Sequence, residues 1–335
     1  MKVKQSMIDK ELRATGTFIK LINNTFTENR FKFFNKLTRK FKHKMIDSAI
    51  DTEIKWIVRP DGTKLRLCIF KPLVPKADVP GILWLHGGGY GLGVPEQSTA
   101  MFKSLIEASD CVVVAPDYRL SVEAPYPAAL EDSYLALLWM KEHIETLGIR
   151  ENQLMVGGES AGGGLTAALT LYARDRGDVA IAFQMPLYPM IDDRMDTVSA
   201  VNNNAPVWNS KSNYNSWSLY LGDLFKTNNV PYYAAPARAL DYTYLPPTVT
   251  FVGELEPFRD ETIAYVKKLK EAGCKVDFKI YEGCYHGFDI VCPKAKVSRE
   301  AKEFLMQAFK YAVDHYFANQ PTQKGNINDQ SQSTK

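Results

Sequence analysis

Gly158-Glu159-Ser160-Ala161-Gly162 stands directly after a short apolar run, residues 153–157, and directly before a helical run, residues 163–173. A serine hydroxyl is a weak nucleophile unless it is held in the open beside a base, and a sharp strand-to-helix turn holds it so. The positions two residues before and after the serine must be small for the turn to close, and both are glycine. The helix that follows aims its amino-terminal dipole and free N–H groups at the same place. G-x-S-x-G alone arises by chance in many chains; the strand before it and the helix after it give the motif its weight here.

Upstream, His86-Gly87-Gly88-Gly89 follows a strand expected at residues 81–85. Three consecutive glycines let the backbone come close to a carbonyl oxygen and turn N–H groups toward it. The same run would suit a phosphate, but a G-x-G-x-x-G opening a helix is not completed. His86 reads as an anchor of this loop rather than as a base. Downstream, Tyr285-His286-Gly287-Phe288 lies past a strand at residues 276–281, in a glycine-containing turn able to present an imidazole. Between serine and histidine, just past a strand at residues 249–252, the chain supplies four carboxylates: Glu254, Glu256, Asp260 and Glu261.

Short apolar strands at residues 64–70, 81–85, 111–115, 153–157, 180–187, 249–252 and 276–281 alternate with helical stretches such as 128–147 and 262–272. That rhythm predicts crossover units and a largely parallel sheet. Ala301, Phe304, Leu305, Ala308, Ala312, Val313 and Tyr316 recur at helical spacing and predict a last helix with one buried stripe. Residues 1–48 read as a helical arm, in which Phe31, Phe34, Leu37, Phe41 and Met45 make an apolar stripe ringed by Lys and Arg. A stripe packed on the rest of the protein is favoured over one that meets a membrane or an anionic partner. Residues 189–246, rich in Asn, Tyr, Trp and Pro, read as an insertion into a core formed by 49–188 and 247–318. Residues 319–335 hold almost no apolar side chain and read as a disordered tail.

The 335 residues carry 41 Lys and Arg against 38 Asp and Glu, a balance that argues against nucleic acid as a partner. No apolar run approaches the roughly 20 residues that span a bilayer, and Lys2, Lys4, Asp9, Lys10, Glu11 and Arg13 leave no room for a signal-peptide core. The five cysteines are odd in number and include no C-x-x-C pair, so a cytoplasmic, reduced chain is expected. His43, His143 and His315 read as surface residues, and no histidine pair has metal-site spacing. Neither a metal nor an organic cofactor is expected.

Together with Asp117-Tyr118-Arg119-Leu120 and Tyr126-Pro127-Ala128-Ala129-Leu130-Glu131-Asp132, these motifs resemble the hormone-sensitive-lipase-like family of α/β-hydrolases over residues 80–290. That family holds many bacterial acetyl esterases and short-chain carboxylesterases. The resemblance implies an α/β-hydrolase fold, with a mostly parallel central sheet flanked by helices and a helical cap. It also implies the chain order serine, acid, histidine, with Ser160 as nucleophile, His286 as base, and the backbone N–H groups of Gly88, Gly89 and Ala161 as oxyanion donors. The family's acid is an aspartate before Pro-Leu-Arg-Asp-Glu; the matching position here is Glu256, before Pro257-Phe258-Arg259-Asp260-Glu261, with Asp260 as its rival.

Tyr188 to Arg194, Trp208 and Trp217 to Gly222 resemble the cap of such esterases, and Tyr90, Trp208 and Trp217 are expected at the substrate. The arm and the insertion are expected to cover Ser160 and restrict the site to short acyl chains. Asp117 and Arg119 are expected to form a structural ion pair. The expected substrate is a small-molecule ester. An amide substrate is one rival; a non-catalytic binding role is another, against which the presence of His286 argues. A homodimer is left open.

Overall fold

Runs without a polar break, such as Val112-Val113-Val114-Ala115, can bury both faces of a strand, as the interior of a parallel sheet requires. The computed structural model describes residues 1–22 and 25–321. Its strands are β1 Asp51–Val58, β2 Lys64–Lys71, β3 Val79–Leu85, β4 Val112–Pro116, β5 Ile149–Glu159, β6 Phe183–Leu187, β7 Thr248–Gly253 and β8 Val276–Tyr281. They form one sheet in the order β1-β2-β4-β3-β5-β6-β7-β8. β2 runs antiparallel to β1 and β4, and every later neighbour is parallel. β3, β4, β6 and β7 are buried along their length, while edge strand β1 is largely open to solvent.

The helices are α1 Arg13–Ile22, α2 Glu28–Phe41, α3 Thr99–Ser109, α4 Ala128–Glu142, α5 Ile144–Leu147, α6 Ala161–Arg176, α7 Ser210–Leu221, α8 Arg259–Glu271, α9 Phe288–Val291 and α10 Lys296–His315. Successive strand residues point to opposite faces, so one sheet feeds two cores. Leu83, Leu85, Val114 and Val156 pack beneath α4 and α6, and Ile82, Trp84, Val113 and Met155 pack beneath α3 and α10. Tyr265 and Leu269 of α8 join Ala167 and Leu171 of α6 in a smaller cluster. The predicted stripe of the last helix lies on the second core, with Ala301, Leu305, Ala308 and Ala312 buried.

Register decides where the motifs meet. β3 and β5 are parallel with Leu85 opposite Gly158, β5 and β6 with Glu159 opposite Leu187, and β7 and β8 with Gly253 opposite Tyr281. The glycine loop, the serine turn, the carboxylate segment and the histidine turn therefore all leave the sheet at its carboxyl edge, where open α/β sheets bind ligands.

Several local expectations need correction. The helix expected over 128–147 breaks at His143 into α4 and α5, and α5 ends on Gly148 in the left-handed conformation. The strand expected from 180 begins at Phe183, and α3 and β1 were not anticipated. Asp117 and Arg119 do not pair. Arg66, buried on β2, must be neutralised and takes both Asp117 (2.9 Å) and Glu96 (2.6 Å), while Arg119 binds Asp132 together with Arg59.

The arm's stripe is only half covered. Phe31 is buried and Phe34 partly so, but Leu37, Phe41 and Met45 are exposed. With 3.6 residues per turn, the inward face of α2 runs through Phe31 and Asn35, which turns Phe33, Leu37 and Phe41 outward. Of the tail expected to be disordered, residues 322–335 lie outside the described residues. No helix among the described residues is long and apolar enough to cross a membrane.

Candidate active site

Ser160 sits between β5 and α6 with φ 59° and ψ −117°. That conformation costs a non-glycine residue about 1–3 kcal/mol and persists only where its surroundings hold it. They do: Ser160 N–H donates to Leu187 O at 3.0 Å, and Ser160 O accepts from Gly164 and Met190 N–H at 2.9 and 3.0 Å. A Cβ on Gly158 would lie 2.5 Å from Leu85 O, and one on Gly162 2.0 Å from the same oxygen. The strand and helix on either side of the serine thus press so closely on β3 that only glycine fits.

This turn brings three side chains into line. Ser160 Oγ lies 2.8 Å from His286 Nε2, and His286 Nδ1 lies 2.5 Å from Glu256 Oε2. The second carboxylate oxygen of Glu256 accepts Gly253 N–H at 2.7 Å, and the residue is wholly buried. A carboxylate can only accept, so Nδ1 carries the proton and Nε2 is left with a lone pair toward the serine hydroxyl. Tyr188 and Phe258 stand edge-on to the imidazole at 5.1 and 5.0 Å and shield it from water.

The other three carboxylates of the 254–261 segment are occupied elsewhere. Glu254 accepts Gly283 N–H at 2.9 Å, Asp260 pairs with Arg259 and accepts Ser199 N–H at 2.8 Å, and Glu261 accepts the N–H groups of Ile191 and Asp192. Burial pushes the Glu261 carboxyl well above the usual range. Asp260 does not reach His286.

The glycine loop lies against the serine turn: a Cβ on Gly87 would stand 3.4 Å from Ser160 Cβ. Gly88 and Gly89 have φ of 129° and 59°. A Cβ on Gly89 would meet the Trp208 ring at 2.3 Å. Among the described residues, the N–H groups of Gly88, Gly89 and Ala161 meet no internal acceptor. His86 is buried beneath the loop, stacked on Tyr118 at 4.2 Å, and its Nδ1–H donates to Gly87 O at 2.9 Å. Burial lowers its pKa and keeps it neutral.

Trp208 stands at this mouth, 6.3 Å from the His286 ring. Tyr90 and Trp217 lie one layer behind. Tyr90 stacks on Tyr220 at 3.8 Å and donates to Met190 O, and Trp217 is buried against both tyrosines.

Sequence reasoning missed two residues that build this site. Glu159, buried, accepts from Trp84 Nε1 (2.6 Å), Ser98 Oγ (2.7 Å) and Gly87 N–H (3.2 Å), and so ties the serine turn to the glycine loop. Burial raises its pKa. A lone acid at the end of an apolar strand was the available signal. Asn35 of α2 donates to Gly91 O at 2.8 Å and accepts Gly93 N–H at 3.1 Å. Nothing local in the arm's sequence marks that duty.

A family model described as alpha/beta hydrolase fold matches residues 82–290. Esterase LipI of Mycobacterium tuberculosis is 33% identical over 250 residues, covering 73% of this chain and 75% of LipI. Carboxylesterase NlhH of the same organism is 31% identical over 242 residues, 70% of this chain and 76% of NlhH. Among solved structures, a bacterial heroin esterase superposes with a TM-score of 0.83 at 33% identity, covering 93% of this chain and 99% of its own. The sheet order, the turn at Ser160 and these likenesses agree, and the chain belongs to the hormone-sensitive-lipase-like family of α/β-hydrolases.

Proposed function

We propose that this carboxylic ester hydrolase cleaves short-chain acyl esters through Ser160, His286 and Glu256, by way of an acyl-enzyme. The observation that carries the reading is the continuous line of hydrogen bonds from Ser160 through His286 to Glu256, at 2.8 and 2.5 Å. His286 takes the hydroxyl proton as Ser160 Oγ bonds to the ester carbonyl carbon. The carbonyl oxygen becomes an oxyanion facing the N–H groups of Gly88, Gly89 and Ala161. Collapse breaks the bond to the leaving oxygen, which receives the proton from His286. Water then gives a proton to His286 and adds to the acyl carbon; collapse returns that proton to Ser160 and frees the acid. Glu256 holds the imidazole tautomer and offsets the charge of the imidazolium.

Residues 1–48 and 189–246 act as the cap over a core of 49–188 and 247–318. Trp208 at the mouth, backed by Tyr90 and Trp217, supports a shallow acyl pocket. Five free thiols support a reducing compartment, the cytoplasm. Rates over acetyl, butyryl, hexanoyl and octanoyl p-nitrophenyl esters test the substrate class. kcat/KM should fall beyond butyryl, and a steady rise to octanoyl removes the short-chain reading. Covalent labelling of Ser160 by a fluorophosphonate tests the acyl-enzyme step.

A further inference from the structure

The arm presents one face to the site and another to solvent. Inward, α2 holds the 88–94 loop through Asn35 and lays Phe31 over Gly91, and Leu12 O accepts Tyr285 O–H beside His286. Outward, α1 exposes Phe18, Leu21 and Ile22, and α2 exposes Phe33, Leu37 and Phe41. Leu21, Phe33 and Phe18 are 79%, 63% and 62% exposed, far beyond what a packed helix face shows. The two sets adjoin, because Arg30 of α2 donates to Ile22 O at the end of α1.

Charge identifies what such a face would meet. Twelve of the 41 Lys and Arg but only four of the 38 Asp and Glu lie in residues 1–48, so the arm carries +8 and the rest of the chain −5. All four acids are engaged: Asp9 with Glu11 N–H, Glu11 with Lys296 N–H, Glu28 with Lys32, Asp47 with Lys103. Lys20, Lys36, Lys40 and Lys44 have no acidic partner among the described residues. A second copy would set one +8 arm against another in a two-fold contact and be repelled. Bulky apolar side chains flanked by unpaired lysines with long alkyl stems instead match an acyl boundary beneath anionic headgroups.

We propose that α1 and α2 form a docking face for an anionic lipid surface, which seats the carboxyl edge of the sheet, and so the site, beside the bilayer. The face binds peripherally, with Phe18, Leu21, Phe33 and Leu37 entering the interface and the lysines reading headgroup charge.

The test is flotation of the full chain with phosphatidylcholine vesicles and with vesicles of phosphatidylcholine and phosphatidylglycerol. The protein should float with the anionic vesicles and remain behind with the neutral ones. Phe33→Ser/Leu37→Ser and Lys36→Glu/Lys40→Glu should each weaken partition at least about tenfold, while hydrolysis of a water-soluble acetyl ester is unchanged. Ser160→Ala should float like the wild type, which separates this proposal from the assignment of the nucleophile. No flotation, equal flotation with neutral vesicles, or variants that float like the wild type each overturn it. So does release by soluble heparin with Phe33→Ser/Leu37→Ser unaffected, which would mark an acidic macromolecule instead.

Discussion

Ser160 is held in its strained turn by Leu187, Met190 and Gly164, with no contribution from its own side chain, so Ser160→Ala should leave the fold intact and remove turnover. A loss on the order of 10⁴-fold or more is expected, since nucleophile and base act as a unit. Hydrolysis of p-nitrophenyl acetate beside a thermal unfolding scan checks both halves. The four carboxylates past β7 are told apart by partners rather than by type. Glu256→Gln keeps the size but has one acceptor oxygen for two donors, Gly253 N–H and His286 Nδ1–H, so its amide NH2 opposes one of them. With that oxygen on Gly253 the imidazole is left in the wrong tautomer, and the change should cost about 10³- to 10⁴-fold in kcat. Asp260→Asn weakens the pairing with Arg259 and the bond from Ser199 N–H and should cost stability more than rate. If Asp260→Asn proves the slower enzyme, the acid has been assigned to the wrong residue.

Among the elements, α2 carries the most unexpected duty. It bonds the 88–94 loop by the side chain of Asn35, so the arm braces the loop beside Ser160. Asn35→Ala removes two buried hydrogen bonds from the loop that bears Gly88 and Gly89. Because oxyanion donors act mainly on the transition state, kcat should fall about tenfold with KM nearly constant. Steady-state kinetics on a soluble ester separate this from a merely structural role, which would lower the unfolding temperature and leave kcat alone. Removing the whole arm should likewise depress rates at every acyl length, since Leu12 and Gly16 also pack on Tyr285 beside His286.

Across the whole molecule, one buried acid couples the site to stability. Burial pushes the Asp289 carboxyl up to about 7 from its ordinary 3.8, and Tyr188 O–H donates to it at 3.3 Å. The folded chain therefore holds a proton there that the unfolded chain releases. Stability from this group is whole below pH 3.8, declines as pH rises from 3.8 to about 7, and is flat above. Asp289→Asn, permanently neutral, should lack this decline. Urea unfolding of both proteins at pH 5 and pH 8 measures it: the wild type should lose more stability between the two than the variant does. Equal losses would mean that Asp289 titrates in its ordinary range.

By itself the sequence determined the strand rhythm, the serine turn, the glycine loop and the histidine turn, because each rests on local chemistry. Glycines are needed where backbones touch, and continuous apolar runs are needed where both faces are buried. It also narrowed the acid to four residues within eight positions. Tertiary structure decided the rest. Which carboxylate reaches His286, that Arg66 rather than Arg119 takes Asp117, and that Glu159 and Asn35 brace the loop around Ser160 all depend on groups 30 to 72 residues apart. The half-exposed stripe of α2 has the same origin. Helical periodicity marks an apolar face, but only the neighbouring loop settles which angle of the helix is turned toward the protein.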